Sequence, residues 1–384
     1  MRTASDVRVP PLSSVNAAQW RALAERAVEP NAYYLADWEL AVNASARGHA
    51  GALALAASDN AAASGHDALI GLIPVTSSWR AYGLPLPVLV SADPHNALCT
   101  PLLDRCRAED AAAALMRRAR EAGARALVLR TMSIEGPAMA AFKAALAHDG
   151  LEPHILEAHE RACLDATRDA DALLRDALGV KKLKELRRQR NRLAEHGNVM
   201  FSVARSPDDV AREVETFLTL EASGWKARRG TALAQHDGDA AFIRQGTAAL
   251  AARGLCDIIT LRAGTTPVAA GIVLRHQDRA FYFKIGVGEP FARFSPGVQL
   301  TLDLTRHLCA DPAITTADST AGPDHPMINP IWRGRLAIGD VLIPLRRGDP
   351  VVPLIRSVMT LRRRVREPMR RAVHLVRRRR EKRA

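Results

Sequence analysis

Residues 316–332, TADSTAGPDHPMINPIW, gather Asp318, Ser319, Asp324, His325, Asn329 and Trp332 in one polar loop behind a predicted strand. An imidazole with an ordinary pKa near ~6.5 can take a proton at working pH, so His325 is a candidate general base. Asp318 or Asp324 would then orient its ring or hold an acceptor. The same aspartates equally suit Asx turns, where their oxygens cap backbone N–H groups and do no chemistry. A second stretch, EASGWKARRGTAL at 221–233, puts Glu221 at a predicted helix end and Trp225 and Lys226 on the following loop. A Trp in a basic loop either floors a substrate pocket or anchors the loop in the core.

The third stretch is FYFKIGVGEPFARFSPG at 281–297, with five of the chain's 17 aromatic residues. An alternating strand carrying Lys284 and Ile285 ends at Gly286. Ser295, Pro296, Gly297 and Val298 then open a helix. Ser at the N-cap, Pro at the first helical position and Gly at the second suit a helix start whose free N–H groups and positive dipole end bind phosphate. An ordinary capped helix reads the same way. A fourth stretch, KKLKELRRQRNR at 181–192, holds seven Lys/Arg and is either a polyanion site or a solvated helix face.

Other chemistries find little footing. The five cysteines, Cys99, Cys106, Cys163, Cys256 and Cys309, are scattered with no C-x-x-C pair. That argues against a disulfide framework, a zinc site and a nucleophilic thiol, and for a reducing cytoplasm. No apolar run approaches the ~20 residues needed to cross a bilayer. The N-terminus lacks the apolar segment of a signal peptide.

The elements that must position these residues follow from hydrophobic period. The chain has 384 residues, 48% hydrophobic and 25% charged, a length that suggests two domains or one large one. In the first half, helices are predicted over 31–43, 108–122 and 137–148, and strands over 67–76, 125–130 and 151–158. The Ala-rich segment near 50–65 reads as low-complexity loop. In the second half a basic helix (169–196), a strand (197–204) and two helices (208–223, 239–253) precede three strands, 256–262, 267–275 and 279–287. A helix to about Cys309, a strand at 314–318 and a last strand near 337–344 complete the order. The three adjacent strands should form an antiparallel meander covered by helices on both faces. The fold class is mixed α/β (α+β).

The formal charge of +13 is concentrated: residues 346–384 carry 15 Lys/Arg and 3 Asp/Glu. Val365, Met369, Val373 and Val376 fall at helical spacing among those arginines. Such a basic amphipathic segment reads as binding an anionic membrane surface. A solubilising tail is the alternative. Nucleic acid is disfavoured because no aromatic follows Leu361.

Taken in order, these motifs resemble a family. L-R-R-x-R-N-R-L-x-x-x-G at 186–197, G-W-K-x-R-x-G-T-A-L at 224–233, P-V-A-A-G at 267–271, F-S-P-G at 294–297, D-S-x-A-x-P-D-H-P-M-I-N at 318–329 and I-W-R at 331–333 are similar to the CelD/FemAB-like branch of GNAT-fold acyltransferases. L-I-G-L-I-P-V, G-L-P-L-P, T-P-L-L-D and E-G-P in the first half resemble the degenerate first unit of such two-unit proteins. The resemblance implies tandem GNAT-like units with mixed, centrally splayed sheets: 1–160 degenerate, 161–345 catalytic, and 346–384 a basic, helical or disordered tail. It implies an acyl-CoA donor, acetyl-CoA above all, and direct transfer to an amine or hydroxyl of a sugar, glycan precursor or small metabolite, without a metal.

The pantetheine would lie between strands 279–287 and 314–318, with the pyrophosphate on the Ser295, Gly297 and Val298 amides beside Pro296. A strand N–H near Ile285 or Gly286 would polarise the carbonyl. His325, or else Glu221, would take the acceptor's proton while Asp318 holds the acceptor. Trp225, Lys226, Lys284, Asp324, Asn329 and Trp332 would contact substrate. F-S-P-G stands where most GNAT proteins carry Q/R-x-x-G-x-G/A. FemAB relatives use aminoacyl-tRNA as donor in cell-envelope biosynthesis, so tRNA is the alternative donor. A non-catalytic member docked at a membrane face is the third reading.

Overall fold

A computed structural model of the protein describes residues 9–59, 68–92, 95, 97–223, 230–362 and 364. Twelve strands form one sheet: β1 (Leu53–Asp59), β2 (Ala68–Ser77), β3 (Val88–Ser91), β4 (Leu102–Leu103), β5 (Ala126–Ser133), β6 (His154–Asp165), β7 (Val199–Ala204), β8 (Cys256–Ala263), β9 (Thr266–His276), β10 (Arg279–Val287), β11 (Thr316–Asp318) and β12 (Gly334–Pro344). Their spatial order is β1-β2-β3-β5-β12-β6-β11-β10-β9-β8-β7, with β4 paired to β2. The helices are α1 (Ala17–Glu25), α2 (Ala36–Ser45), α3 (Ser78–Tyr82), α4 (Ala108–Glu121), α5 (Pro137–His148), α6 (Ala170–Leu193), α7 (Pro207–Ser223), α8 (Asp237–Ala251), α9 (Pro296–Cys309) and α10, over 351–362. No helix among the described residues is long and apolar enough to cross a membrane.

Strands β8, β9 and β10 form the antiparallel meander that their alternation predicts. Val210, Val214, Phe217 and Leu218 of α7 and Phe242 and Ile243 of α8 pack on one face. Leu186 and Leu193 of α6 and Leu300, Leu304 and Leu308 of α9 pack on the other. The 50–65 segment is corrected by β1: Leu53 and Leu55 pair with Val75 and Ile73 of β2. Alanine has little intrinsic strand preference, so only the tertiary partner makes this a strand.

The two halves share one sheet. Strand β12, the last strand among the described residues, lies between β5 and β6, antiparallel to both. Strand β6 runs through the expected division at 160/161. One core joins Trp20, Tyr33 and Trp38 from the N-terminal half to Phe217, Phe242 and Phe283 from the C-terminal half. Helix α10, inside the 346–384 segment, buries Val352, Ile355 and Met359 against Val88, Val128 and Leu342.

His276, at the end of β9, links the halves. Its Nδ1 accepts the Asn31 N–H at 2.8 Å, and its Nε2–H donates to the Ala24 carbonyl at 2.9 Å. Only the neutral ring satisfies both, and burial pushes its pKa down to about 4. In the unfolded chain the same ring titrates near ~6.5. Below that pH the unfolded state binds a proton that the native ring refuses, so stability falls as pH drops from ~6.5 towards the native value. Between pH 7 and pH 5 this ring should cost about 2 kcal/mol at ~1.4 kcal/mol per pKa unit. Urea unfolding at the two pH values should show a flatter pH dependence for His276→Gln than for the wild type. An unchanged dependence contradicts the assignment.

Candidate functional site

The site starts from a fault in β10. Tyr282 pairs with Val273 and Lys284 with Ile272, so Phe283 is an extra, bulged residue. A bulge breaks the two-residue period and re-aims the side chains beyond it. Before it, Phe281 and Phe283 face Tyr33 at 5.6 and 5.8 Å between ring centres, while Tyr282 faces the opposite core with Trp332. Beyond it, Ile285 and Val287 pack on the Tyr282 side. Lys284 lies with its ammonium 5.5 Å from the Phe283 ring centre.

Strand β11 runs parallel to β10 for three residue pairs, 279–281 against 316–318. There it stops, because Asp318 turns the chain. Its carboxylate is held by the Arg161 guanidinium and accepts the Thr320 N–H at 2.8 Å. Thr320 is left-handed (φ 51°), and its hydroxyl bonds the Tyr33 hydroxyl at 2.7 Å. From Tyr282 to Val287 no described strand pairs with β10 on that side.

The divergence opens a cavity of about 520 Å³. Tyr282, Ile285, Val287, Met327 and Ile328 give it apolar walls, and Glu221, Lys284, Glu289, Ser319, Thr320 and His325 its polar groups. Glu221 reaches the cavity through Gly286. A Cβ at Gly286 would lie 2.8 Å from the Glu221 nitrogen and 3.1 Å from the Phe217 carbonyl oxygen. Only glycine lets the end of α7 lie against β10. Glu221 is 2% exposed and accepts the Leu233 N–H at 2.8 Å through Oε2.

The start of α9 lies directly behind the cavity wall. A Cβ at Gly297 would sit 3.2 Å from Val287 Cγ2 and Met327 Sδ and 3.4 Å from Ile285 Cδ1. The cradle is narrower than expected, however. Ser295 is left-handed (φ 54°), makes no side-chain cap, and donates its own N–H to the Ala292 carbonyl at 3.0 Å. Pro296 has no N–H. Gln299 already bonds the Ser295 carbonyl. The Gly297 and Val298 N–H groups, at the second and third helical positions, remain as donors without an intrahelical acceptor.

His325 is half-buried, and burial lowers its pKa. Its Nδ1 faces the Met327 and Ile328 N–H groups, each at 3.4 Å. With Nδ1 accepting from these amides, the neutral ring carries its proton on Nε2 and presents a donor there.

Glu221, Lys284, Ile285, Gly286 and His325 thus come together around one cavity. Three expectations are corrected. Asp318 is fully buried and consumed by Arg161, so it holds the chain, not an acceptor. Trp332 is 1% exposed and donates Nε1–H to Thr305 at 2.9 Å, which makes it a core residue. Ser295 contributes no free amide. Asp324 and Asn329 flank a second, open depression with Arg333 and Arg335. Trp225 and Lys226 lie outside the described residues. Sequence reasoning overlooked Arg161 and Met327. A lone Arg in the otherwise apolar run RACL was the available signal for the first, and Met327 gave none.

Residues 180–325 match the family model described as an acetyltransferase (GNAT) domain. The crystal structure of FemX superposes with a TM-score of 0.57 over 89% of this chain and 98% of that one, at 12% identity. The C-terminal domain named for a lysylphosphatidylglycerol synthetase of Agrobacterium fabrum gives 0.53 over 89% and 95%, at 15% identity. A protein of unknown function from Bacteroides thetaiotaomicron gives 0.53 over 87% and 99%, at 11% identity. No curated protein matches the sequence significantly. At such identities these structural likenesses speak for the fold, and the domain match speaks for the segment that holds the cavity. A bulged strand, a parallel partner that leaves it early and a helix start behind the gap thus lie within a GNAT-type acetyltransferase domain over residues 180–325, and the chain as a whole shares its fold with FemX.

Proposed function

We propose that the protein moves an acyl group from an acyl-CoA thioester, acetyl-CoA being the first donor to test, to an amine or hydroxyl of a sugar, glycan precursor or small metabolite. The observation that supports this most is the open side of β10 from Tyr282 to Val287, facing a cavity with two helix-start amides behind its wall. Those amides at Gly297 and Val298 suit the donor's pyrophosphate. The acceptor attacks the thioester carbonyl, a C–N or C–O bond forms, and the C–S bond breaks. Glu221 takes the acceptor's proton. His325, neutral at pH 7, offers its Nε2–H to the oxygen or sulphur that gains charge. Lys284 and the apolar wall position the acceptor and exclude water.

Calorimetry with acetyl-CoA and longer acyl-CoAs should show saturable binding. Gly297→Asp, which adds bulk against Val287 and a negative charge beside the amides, should weaken it at least ~10-fold, about 1.4 kcal/mol or more. Absence of binding by any acyl-CoA overturns the reading. One observation favours aminoacyl-tRNA as the alternative donor. Lys181, Lys184, Arg187, Arg188 and Arg192 of α6 are exposed and make no ion pair among the described residues. Helix α6 packs on the short 3-10 helix Glu289–Phe294, whose Glu289 and Ala292 border the cavity. Binding of charged tRNA where CoA fails would select it.

A further inference from the structure

We propose that helix α10 and the neighbouring turn of α3 form a face that docks on an anionic lipid surface. Helix α10 spends one side on the fold, with Val352, Ile355 and Met359 buried under β3, β5 and β12. Its outer side keeps Leu354 at 59% and Leu361 at 62% exposure. Seven residues apart, these two share nearly one azimuth on a helix of 3.6 residues per turn. Trp79, 66% exposed, lies on α3 one turn before Tyr82, whose ring sits 4.6 Å under the Arg362 guanidinium. The Tyr82–Arg362 contact sets α3 against the end of α10 that carries Leu361, so Trp79 and Leu361 are exposed on adjoining elements, with Leu354 two turns earlier on the same side of α10 as Leu361.

Along residues 346–364 the exposed charge is of one sign, with the acids Asp149 and Glu152 lying on the neighbouring segment before β6. Arg346, Arg347, Arg356 and Arg364 are exposed and make no ion pair among the described residues. Asp349, the one acid between 346 and 364, is 8% exposed and committed to Arg125 at 3.0 Å. The chain beyond 364 adds nine Lys/Arg against two Glu. An apolar ridge rimmed by unpaired arginines matches the interface of an anionic bilayer, which takes Trp and Leu into its headgroup boundary and attracts the cations. Nucleic acid would use the arginines and leave Trp79, Leu354 and Leu361 without a role. A second copy of the chain would set like charges face to face.

The test is co-sedimentation of the full chain with vesicles of phosphatidylcholine alone or with ~30% phosphatidylglycerol, in about 0.15 M salt. Binding is expected to the anionic vesicles alone. The full-length triple variant Trp79→Ser, Leu354→Ser, Leu361→Ser removes three exposed side chains and should keep the wild-type thermal midpoint. Its affinity for the vesicles should fall roughly tenfold while its affinity for heparin is unchanged. Equal vesicle binding by the variant, or no binding of the wild type to anionic vesicles, overturns the proposal. Heparin or tRNA binding that falls in parallel with vesicle binding overturns it in favour of a polyanion partner.

Discussion

Asp318→Ala should lower the free energy of unfolding by about 3–5 kcal/mol, the range found when a buried ion pair loses one member. Arg161 and Asp318 are 1% and 0% exposed in their side chains. With Asp318 gone, the guanidinium keeps the Ala97 carbonyl at 2.6 Å but no counter-charge. Thr320 also loses the acceptor that holds its N–H. Replacing both members with Leu and Met removes the stranded charge and should recover most of the loss. Urea unfolding of the two variants decides. A cost below ~1 kcal/mol for the single change would mean that water reaches the pair. The consequence extends to the site, because this pair ends β11 and so creates the divergence from β10.

Glu221→Gln should reduce kcat by ~100- to 10,000-fold, the usual worth of a positioned general base. Glutamine keeps an oxygen for the Leu233 N–H, so stability and donor affinity should stay close to wild type. His325→Ala should cost less, since its ring serves as a donor and its Nδ1 is turned to the Met327 and Ile328 amides. Steady-state rates for both variants, with acyl-CoA binding measured alongside, separate the roles. If Glu221→Gln turns over normally and His325→Ala does not, the proton goes to the histidine.

Much of this was legible in the chain. Alternation and helical period locate β8, β9, β10, α7 and α9, and α5 at Pro137–His148, because long amphipathic runs leave little choice. The F-S-P-G motif marks the helix start behind the cavity. What stayed hidden depends on partners distant in sequence. The bulge at Phe283 is set by register against β9, and no local residue announces it. Asp318 looked chemical because its partner, Arg161, is 157 residues away in the chain. Trp332 looked like a substrate contact because an aromatic near a polar loop reads the same whether it faces a cavity or Thr305. Ser295 looked like an N-cap from its type, but its left-handed backbone aims the side chain elsewhere. Strand β12 joins β5 to β6, a pairing beyond the reach of any local pattern.

A crystal structure of the full chain with a non-hydrolysable acyl-CoA analogue bears most directly on the donor slot. The thioester arm is expected between residues 284–287 and 319–321, with the diphosphate on the Gly297 and Val298 amides. Density for the analogue at saturating concentration anywhere else would contradict the slot and the transferase reading with it.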